Sequence, residues 1–158
     1  RLDASTSNEG FESFYRQHMA KLLLVRGKQR YLAKGNYNIG RIRYINKLFP
    51  DARFIVPIRH PVMHIASLFK QHNLFLQLQQ RDNRTARQLA MSGHYEFGPQ
   101  RRCPNFGDST ARDNIQAYWA KGLELQGWAL LWRQVYTQVK DYIDDPCIGE
   151  RIKWLRYE

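Results

Sequence analysis

Hydrophobic residues are arranged along the chain in two different patterns. Stretches in which they return every three or four residues predict amphipathic helices over residues 11–26, 39–48, 61–80 and 115–143. Short runs of consecutive apolar residues lie between these stretches and predict strands over residues 31–34, 53–59 and 152–157. Because strands that are apolar on both faces alternate here with helices, we expect an α/β fold with a parallel sheet covered by helices.

Residues at the ends of the predicted helices support these boundaries. Gly27 follows the first helix, and Asn36 and Asn38 can cap the second. Pro61 suits the first turn of the third helix. Residues 81–114 lose the helical period and collect Gly, Pro, Asn and Asp, which predicts a long excursion with about one helical turn. A loop of this length in a compact domain is usually functional.

The length and composition are those of a globular protein. With 158 residues and 43% hydrophobic side chains, the chain can bury a core, and we interpret residues 1–158 as a single, partial domain. This composition excludes disordered and collagen-like proteins. No apolar run approaches the ~20 residues that a membrane-spanning helix needs, so we predict no transmembrane segment. The polar start and the strand predicted at the very end lead us to expect a domain that is incomplete at both ends.

Cysteine and histidine spacing argues against two kinds of site. Cys103 and Cys147 are too few for a disulfide framework and lack the CxxC spacing of a zinc site. His60 and His64 are four residues apart, but no third ligand has a suitable spacing, so we predict no metal ion. Two cysteines do not show whether the protein lies in the cytosol or in the Golgi lumen. We prefer the cytoplasm as its location.

Positive charge dominates the ionisable residues. The chain has 25 Lys and Arg against 14 Asp and Glu, a formal net charge of +11. Of these cations 17 are Arg and 8 are Lys, and an excess of Arg favours bidentate recognition of phosphate or sulfate. An anionic ligand is therefore indicated. The cations are spread along the chain rather than gathered in a basic tail, and a scattered basic surface explains the charge equally well.

One strand–helix junction has the features of an anion site. The apolar strand predicted over residues 53–59 delivers Arg59 to its carboxyl end, directly before the third helix. The free N–H groups and dipole of a helix N-terminus favour phosphate, and Arg59 can add a charge-assisted contact. Ser67 shares one helix face with His60 and His64, so its hydroxyl can point towards the same site. A structural ion pair is an equally good interpretation of Arg59 on these grounds.

The segment KLFPDARFIVPIRHPVMHIAS carries a family resemblance. It resembles the 3′-phosphate-binding segment of sulfotransferases that use 3′-phosphoadenosine 5′-phosphosulfate (PAPS). That segment has FPDA(K/R)FI, then Arg-x-Pro, then Ser eight residues after the Arg, and Arg59, Pro61 and Ser67 match these positions. YLAKGNYNIGRI upstream and WLRYE downstream are similar to other segments of the family. The resemblance covers residues 31–80 well and residues 115–158 loosely.

The resemblance implies a fold, a reaction and three site residues. The fold would be that of P-loop NTPase-like sulfotransferases, and the enzyme would move a sulfuryl group from PAPS, its co-substrate, to a hydroxyl or amine. The acceptor would be a carbohydrate, a lipid or a small molecule. Arg59 and Ser67 would bind the 3′-phosphate of the donor, and Lys34 would stabilise the leaving group. For Lys34 alone, a solvated surface lysine is the alternative.

The chain also departs from the family pattern. Residues 1–30 contain no counterpart of the Gly-rich loop that binds the 5′-phosphosulfate, so we expect this chain alone not to catalyse transfer. Asn36 stands where cytosolic members have a histidine base, and an amide cannot act as a general base. The base is therefore unassigned, with His18, His72 and His94 as candidates that are more typical of surface or loop histidines.

Two other functions compete with sulfuryl transfer. A basic nucleic-acid-binding module is favoured by the net charge of +11 and the interleaved aromatic residues. Buried strands would leave no exposed aromatic sheet surface, however, and the sequence contains no recognised nucleic-acid motif. A nucleotide-binding, kinase-like protein is the second alternative, and it would be indifferent to a 3′-phosphate. The aromatic residues between Tyr118 and Tyr136 are more typical of a helix core than of a base-stacking surface.

Overall fold

The computed structural model describes residues 2–82 and 84–156, which form an α/β structure rich in helix. The helices are α1 Glu9–Arg26, α2 Ile42–Leu48, α3 Pro61–Arg81, α4 Arg84–Ser92, α5 Ser109–Ala120 and α6 Glu124–Ile143. The strands are β1 Phe54–Ile58 and β2 Ile152–Arg156, and short 3₁₀ helices cover Asn36–Arg41 and Gly149–Arg151. β1 and β2 pair as a small parallel sheet of two strands.

Several predicted elements are confirmed, and capping residues or a proline mark their ends. Asn8 caps α1 by accepting a hydrogen bond from the N–H of Phe11, at 3.0 Å. Gly27 ends α1 with a φ of 57°, a left-handed conformation that glycine adopts without strain. Pro61 is the first residue of α3. β2 covers the predicted last strand up to Arg156, whereas Tyr157 and Glu158 of the WLRYE segment lie outside the described residues.

The strand predicted over residues 31–34 is wrong. Residues 31–35 are irregular and exposed, and the side chains of Tyr31 and Leu32 are 44% and 91% exposed. A short apolar run becomes a strand only when another strand pairs with it, and in the part of the chain that is described only β1 and β2 pair. Asn36 and Asn38 do not cap α2 either, because both belong to the 3₁₀ helix that precedes it.

The expectation of a sheet covered on both faces is also wrong for these strands. In β1 Val56 is buried, but Ile55 is 64% exposed. In β2 only Ile152 is buried. The apolar runs predicted the strands correctly, but a run of apolar residues does not state which faces its neighbours cover.

The predicted excursion and the last predicted helix have different boundaries in the structure. Residues 84–92 form α4, a longer helix than the single turn expected. α5 already begins at Ser109, where the side chain of Asp108 accepts from the N–H of Ala111, at 2.9 Å. The helix predicted over residues 115–143 is divided into α5 and α6, because Gly122 turns the chain with a φ of 73°.

The chain divides into two compact units. Unit 1 comprises Arg1–Val56 and Asp141–Lys153, and unit 2 comprises Pro57–Lys140 and Trp154–Glu158. In unit 1, Arg43 donates two hydrogen bonds to Asp145, at 2.9 and 3.2 Å, and its guanidinium lies 5.1 Å from the ring centre of the buried Tyr142. The hydroxyl of Tyr44 donates to Glu12 at 3.3 Å, which ties α2 to α1.

The core of unit 2 is aromatic and encloses one ion pair. The buried members of this core are Cys103, Ile115, Trp119, Trp128 and Leu131. The side chain of Arg101 is 11% exposed, forms a bidentate ion pair with Glu124, and lies 4.3 Å from the ring centre of Trp119. The interpretation of the aromatic residues as core is thus confirmed for Trp119 and Trp128, which are 6% and 0% exposed.

The irregular residues 93–108 are held against this core. The N–H of Gly98 donates to Nδ1 of His72 at 3.2 Å, and the N–H of Cys103 donates to the side chain of Gln116 at 2.9 Å. Phe97 packs between Phe75 and Trp128, with ring centres 5.6 and 5.8 Å away. This part of the predicted excursion is therefore an anchored segment and not a solvated flap.

Gly127 permits the close contact between α5 and α6. A Cβ atom at this position would collide with the indole ring of Trp119. We expect Gly127→Ala to lower the free energy of unfolding by about 1–3 kcal/mol, because overpacking outweighs the gain in helix propensity. Gly10→Ala is the matched control: Gly10 also lies in a helix, a Cβ there would meet only the Asn8 side chain at 3.8 Å, and we expect a gain of up to about 1 kcal/mol. Urea unfolding of both variants measures the difference, and a Gly127→Ala protein as stable as Gly10→Ala would contradict the packing argument.

Candidate functional site

The junction of β1 and α3 presents backbone donors beside an arginine. β1 ends at Ile58, Arg59 and His60 follow, and α3 begins at Pro61. The N–H groups in the first turn of a helix have no intrahelical acceptor, and the side chain of the N-cap residue, His60, makes no capping hydrogen bond here. The first of these residues is proline, which has no N–H, so the donors of the turn are the N–H groups of Val62 and Met63. Arg59 is half-buried next to them.

His64 lies one turn into α3. Its N–H donates to the carbonyl of His60 at 2.9 Å, which makes the first regular helical bond. Burial lowers the pKa of His64, and the positive charge of Arg59 lowers it further. Its Nδ1 atom is buried and has no hydrogen-bond partner among residues 2–82 and 84–156. The ring is therefore neutral at neutral pH.

Tyr136 joins α6 to the end of β1 within unit 2. Its hydroxyl donates to the carbonyl oxygen of Pro57 at 3.2 Å, and burial raises the pKa of this hydroxyl. Its ring stands at 64° to that of His64, with ring centres 6.3 Å apart, and packs against Trp132 at 4.5 Å. α6 thus supports the strand end that carries Arg59.

The three residues singled out from the sequence lie in two different places. Arg59 and Ser67 belong to the same strand–helix connection of unit 2, where Ser67 is exposed on the second turn of α3. Lys34 belongs to unit 1 and is exposed in the irregular segment before the first 3₁₀ helix. Lys34 therefore does not end a strand, contrary to the prediction from the sequence.

The three histidines considered as bases have different surroundings. His18 is exposed on α1 and stacks on Phe14, with ring centres 5.7 Å apart. His94 lies 3.3 Å from a carboxylate oxygen of Glu96. His72 is 4% exposed, so its classification as a surface or loop histidine is wrong. Because its Nδ1 accepts from the backbone of Gly98, His72 acts as a structural acceptor.

The two cysteines differ in burial and in reactivity. Burial raises the pKa of the Cys103 thiol to about 12, so this cysteine is not a nucleophile at neutral pH. Cys147 is exposed, and both cysteines are free.

No cluster of three potential metal-ligating side chains occurs in the described ranges. Within the same ranges, no helix has the length and apolar character needed to cross a membrane.

Taken together, the junction offers backbone donors, a half-buried guanidinium and a hydroxyl, which is the chemistry of anion binding.

A comparison with protein-family models decides the family: the model described as "Sulfotransferase family" matches residues 2–103. The chain belongs to the sulfotransferase family. The matched residues include Lys34, Arg59 and Ser67. Comparison of this sulfotransferase with curated proteins and with solved structures gave no match.

Family membership supports transferase activity with a sulfate donor and an acceptor. Sequence reasoning singled out Arg59 and Ser67 at the β1–α3 junction of this sulfotransferase, but it missed two neighbours. His64 was considered only for its helical spacing and for metal binding, and its burial beside Arg59 depends on α6. Tyr136 is 79 residues from its partner Pro57, so no local pattern connects the two.

The buried His72 predicts a dependence of stability on pH. Burial and the charge of Arg101 lower the pKa of His72, while Glu124 opposes them. Because the unfolded chain binds the proton more readily, the stability that neutral His72 provides is complete above pH ~6.5 and is lost as the pH falls towards the lowered pKa, by up to about 1.4 kcal/mol per pH unit.

We expect His72→Asn to flatten this acid-side slope, since an amide oxygen can accept from Gly98 but does not titrate there. The measurement is the free energy of unfolding between pH 7.5 and 5, compared by its slope because loss of the ring also lowers the absolute stability. His18→Asn, at an exposed position of α1, is the control and should retain the wild-type slope. Equal slopes for His72→Asn and the wild type would show that His72 does not titrate in this way.

Proposed function

We propose that this sulfotransferase transfers a sulfuryl group from PAPS to a hydroxyl or amine of a carbohydrate, a lipid or a small molecule. The observation that carries the proposal is the position of Arg59, between the carboxyl end of β1 and the N-terminus of α3. Parallel α/β sheets bind ligands at this end of their strands. In this proposal the two strands and their helices are part of a single P-loop NTPase-like sulfotransferase domain.

The 3′-phosphate of the donor would bind at the β1–α3 junction. Arg59 would contribute a charge-assisted contact, the first N–H groups of α3 would donate to the phosphate oxygens, and Ser67 would add a hydroxyl. Two features support this assignment: Arg59 and Ser67 keep the spacing of the family segment, and the exposed face of α3 carries Ser67. A 3′-phosphate distinguishes PAPS from ATP, so this contact would define the donor.

The transfer itself would be an in-line displacement at sulfur. A bond forms between sulfur and the acceptor oxygen or nitrogen, the bond from sulfur to the 5′-phosphate oxygen breaks, and the acceptor proton passes to a base that remains unassigned. Negative charge then develops on the departing phosphate of adenosine 3′,5′-bisphosphate. Lys34 would stabilise that charge, since an exposed ammonium group has three movable donors and needs no fixed geometry.

The test of the donor site is a binding preference. We expect the full-length protein to bind adenosine 3′,5′-bisphosphate more tightly than adenosine 5′-monophosphate at constant salt, and Arg59→Ala to remove about 10- to 100-fold of that preference, the range of a hydrogen bond to a charged group. Arg53→Ala is the matched control, because Arg53 is exposed just before the other end of β1. Calorimetry measures both ligands. A preference unchanged by Arg59→Ala would remove Arg59 from the site, whereas steep salt dependence without any preference would favour the nucleic-acid-binding alternative.

The test of Lys34 separates turnover from binding. We expect Lys34→Ala in the full-length protein to lower kcat about 10²- to 10³-fold, because its charge acts on the leaving group mainly in the transition state. The affinity for adenosine 3′,5′-bisphosphate should change much less. Lys28→Ala, at another exposed lysine after α1, should leave both quantities unchanged. Release of the bisphosphate from PAPS measures turnover, and equal losses of turnover and affinity would make Lys34 a binding residue instead.

A further inference from the structure

One surface of unit 1 exposes large apolar side chains beside cations. It consists of the exposed side chains of residues 21–34, which end α1 and form the irregular segment after it, and we call it the basic apolar surface. Every residue from 24 to 34 is exposed. The large apolar side chains among them are Leu24, Val25, Tyr31 and Leu32, with exposed fractions of 82%, 81%, 44% and 91%. Because burial of such side chains is favourable, this surface is suited to contact with an apolar phase.

The opposite face of α1 holds the helix within unit 1. The ring of Tyr15 meets that of Phe49 edge to face, with ring centres 5.5 Å apart. Glu12 accepts from the hydroxyl of Tyr44 at 3.3 Å. Leu24 lies nine residues after Tyr15, which is two and a half turns of a helix, so it is on the opposite side. The helix is therefore packed on one face and presents Leu24 on the other.

The basic apolar surface carries positive charge that no nearby acid in the sequence balances. Residues 13–50 contain nine Lys and Arg and no Asp or Glu. Five of these cations lie within residues 21–34 and are exposed, namely Lys21, Arg26, Lys28, Arg30 and Lys34. None of the five forms an ion pair with a described residue. Their field therefore extends into the solvent and attracts anions.

The combination of aliphatic side chains and unpaired cations favours a lipid surface over other anionic partners. Leu24, Val25 and Leu32 have no polar atom or ring, so they can neither hydrogen-bond to nucleic-acid bases nor stack on them. A protein segment that covered the surface would have to take the unpaired cations out of water. At a bilayer, lipid phosphates meet the cations, their aliphatic stems lie along the boundary, and the apolar side chains enter it.

We propose that the basic apolar surface attaches this sulfotransferase peripherally to membranes that contain anionic lipid. Leu24, Val25 and Leu32 enter the boundary between head groups and acyl chains, and the cations around them contact lipid phosphates. This inference goes beyond the proposed function and does not depend on the donor site at the β1–α3 junction.

The first experiment removes charge from the basic apolar surface. The full-length protein is sedimented with vesicles of phosphatidylcholine, either alone or with about 30% phosphatidylserine, which supplies the anionic surface. We expect much tighter binding to the anionic vesicles. The triple variant Lys21→Gln, Lys28→Gln and Arg30→Gln should weaken it about 100-fold, because each cation near an anionic surface contributes about fivefold. Lys34 is left unchanged, since the proposed function gives it another role.

The matched control removes the same charge from unit 2. It is the triple variant Lys70→Gln, Arg87→Gln and Lys121→Gln, all at exposed positions. We expect this control to weaken vesicle binding much less than the first triple variant. Equal losses in the two triple variants would show that net charge alone attracts the protein, and would overturn the assignment to residues 21–34.

The second experiment tests whether apolar side chains enter the lipid. We expect Leu24→Gln combined with Leu32→Gln to weaken binding to the anionic vesicles about 10- to 100-fold, because two large apolar side chains no longer leave water. The matched control is Met91→Gln combined with Leu125→Gln, at side chains that are 79% and 52% exposed, and it should bind like the wild type. Binding that is unchanged by the Leu24 and Leu32 substitutions would overturn the proposal.

The same variants distinguish lipid from the other occupants. If protein covers the surface in the full-length chain, the Leu24→Gln and Leu32→Gln variant will lose stability in urea unfolding and the wild type will not bind vesicles. If the wild type binds a single-stranded oligonucleotide more tightly than the anionic vesicles at equal salt, the surface is a nucleic-acid site. Either result overturns the proposal. Affinity for adenosine 3′,5′-bisphosphate should be the same in all these variants, so failure of vesicle binding leaves the proposed function intact.

Discussion

The largely buried ion pair of Arg101 and Glu124, whose side chains are 11% and 24% exposed, is the constraint on which unit 2 depends. A guanidinium that is 11% exposed is stable in an aromatic core only if its charge is matched, because an isolated charge in such surroundings costs several kcal/mol. Glu124 supplies that charge at the first turn of α6, and the ring of Trp119 on α5 supplies a π face at 4.3 Å. The side chain of Arg101 thereby holds the irregular residues 93–108 against α5 and α6.

The position of α6 then determines the surroundings of the candidate site. Glu124 begins the helix, and Tyr136 follows about three turns later on the same helix, roughly 18 Å away. There its hydroxyl reaches the carbonyl of Pro57. The end of β1, from which Arg59 extends, is thus supported by a helix whose start is anchored in the aromatic core. The surroundings of the β1–α3 junction therefore depend on packing at both ends of α6.

Electrostatics at the β1–α3 junction distinguishes it from the core. In the core Arg101 forms an ion pair with Glu124 and stabilises packing. At the junction, burial lowers the pKa of His64 and the positive charge of Arg59 lowers it further. The dipole of α3 adds a positive potential at the same end of the helix.

The sequence by itself determined the elements that depend on neighbouring residues. Gly27 ends α1, Pro61 begins α3, and the apolar runs before Arg59 and at residues 152–156 are strands. Caps, turns and periodicity act within a few residues, so a sequence pattern predicts them, and the family segment from residue 47 to Ser67 is equally local.

Only the tertiary structure decided the features that join distant residues. It left residues 31–34 without a partner strand, placed His72 inside the core, and brought Tyr136 to Pro57 across 79 positions. Strand pairing, burial and long-range hydrogen bonds depend on which distant surfaces meet, and local periodicity carries no information about that choice.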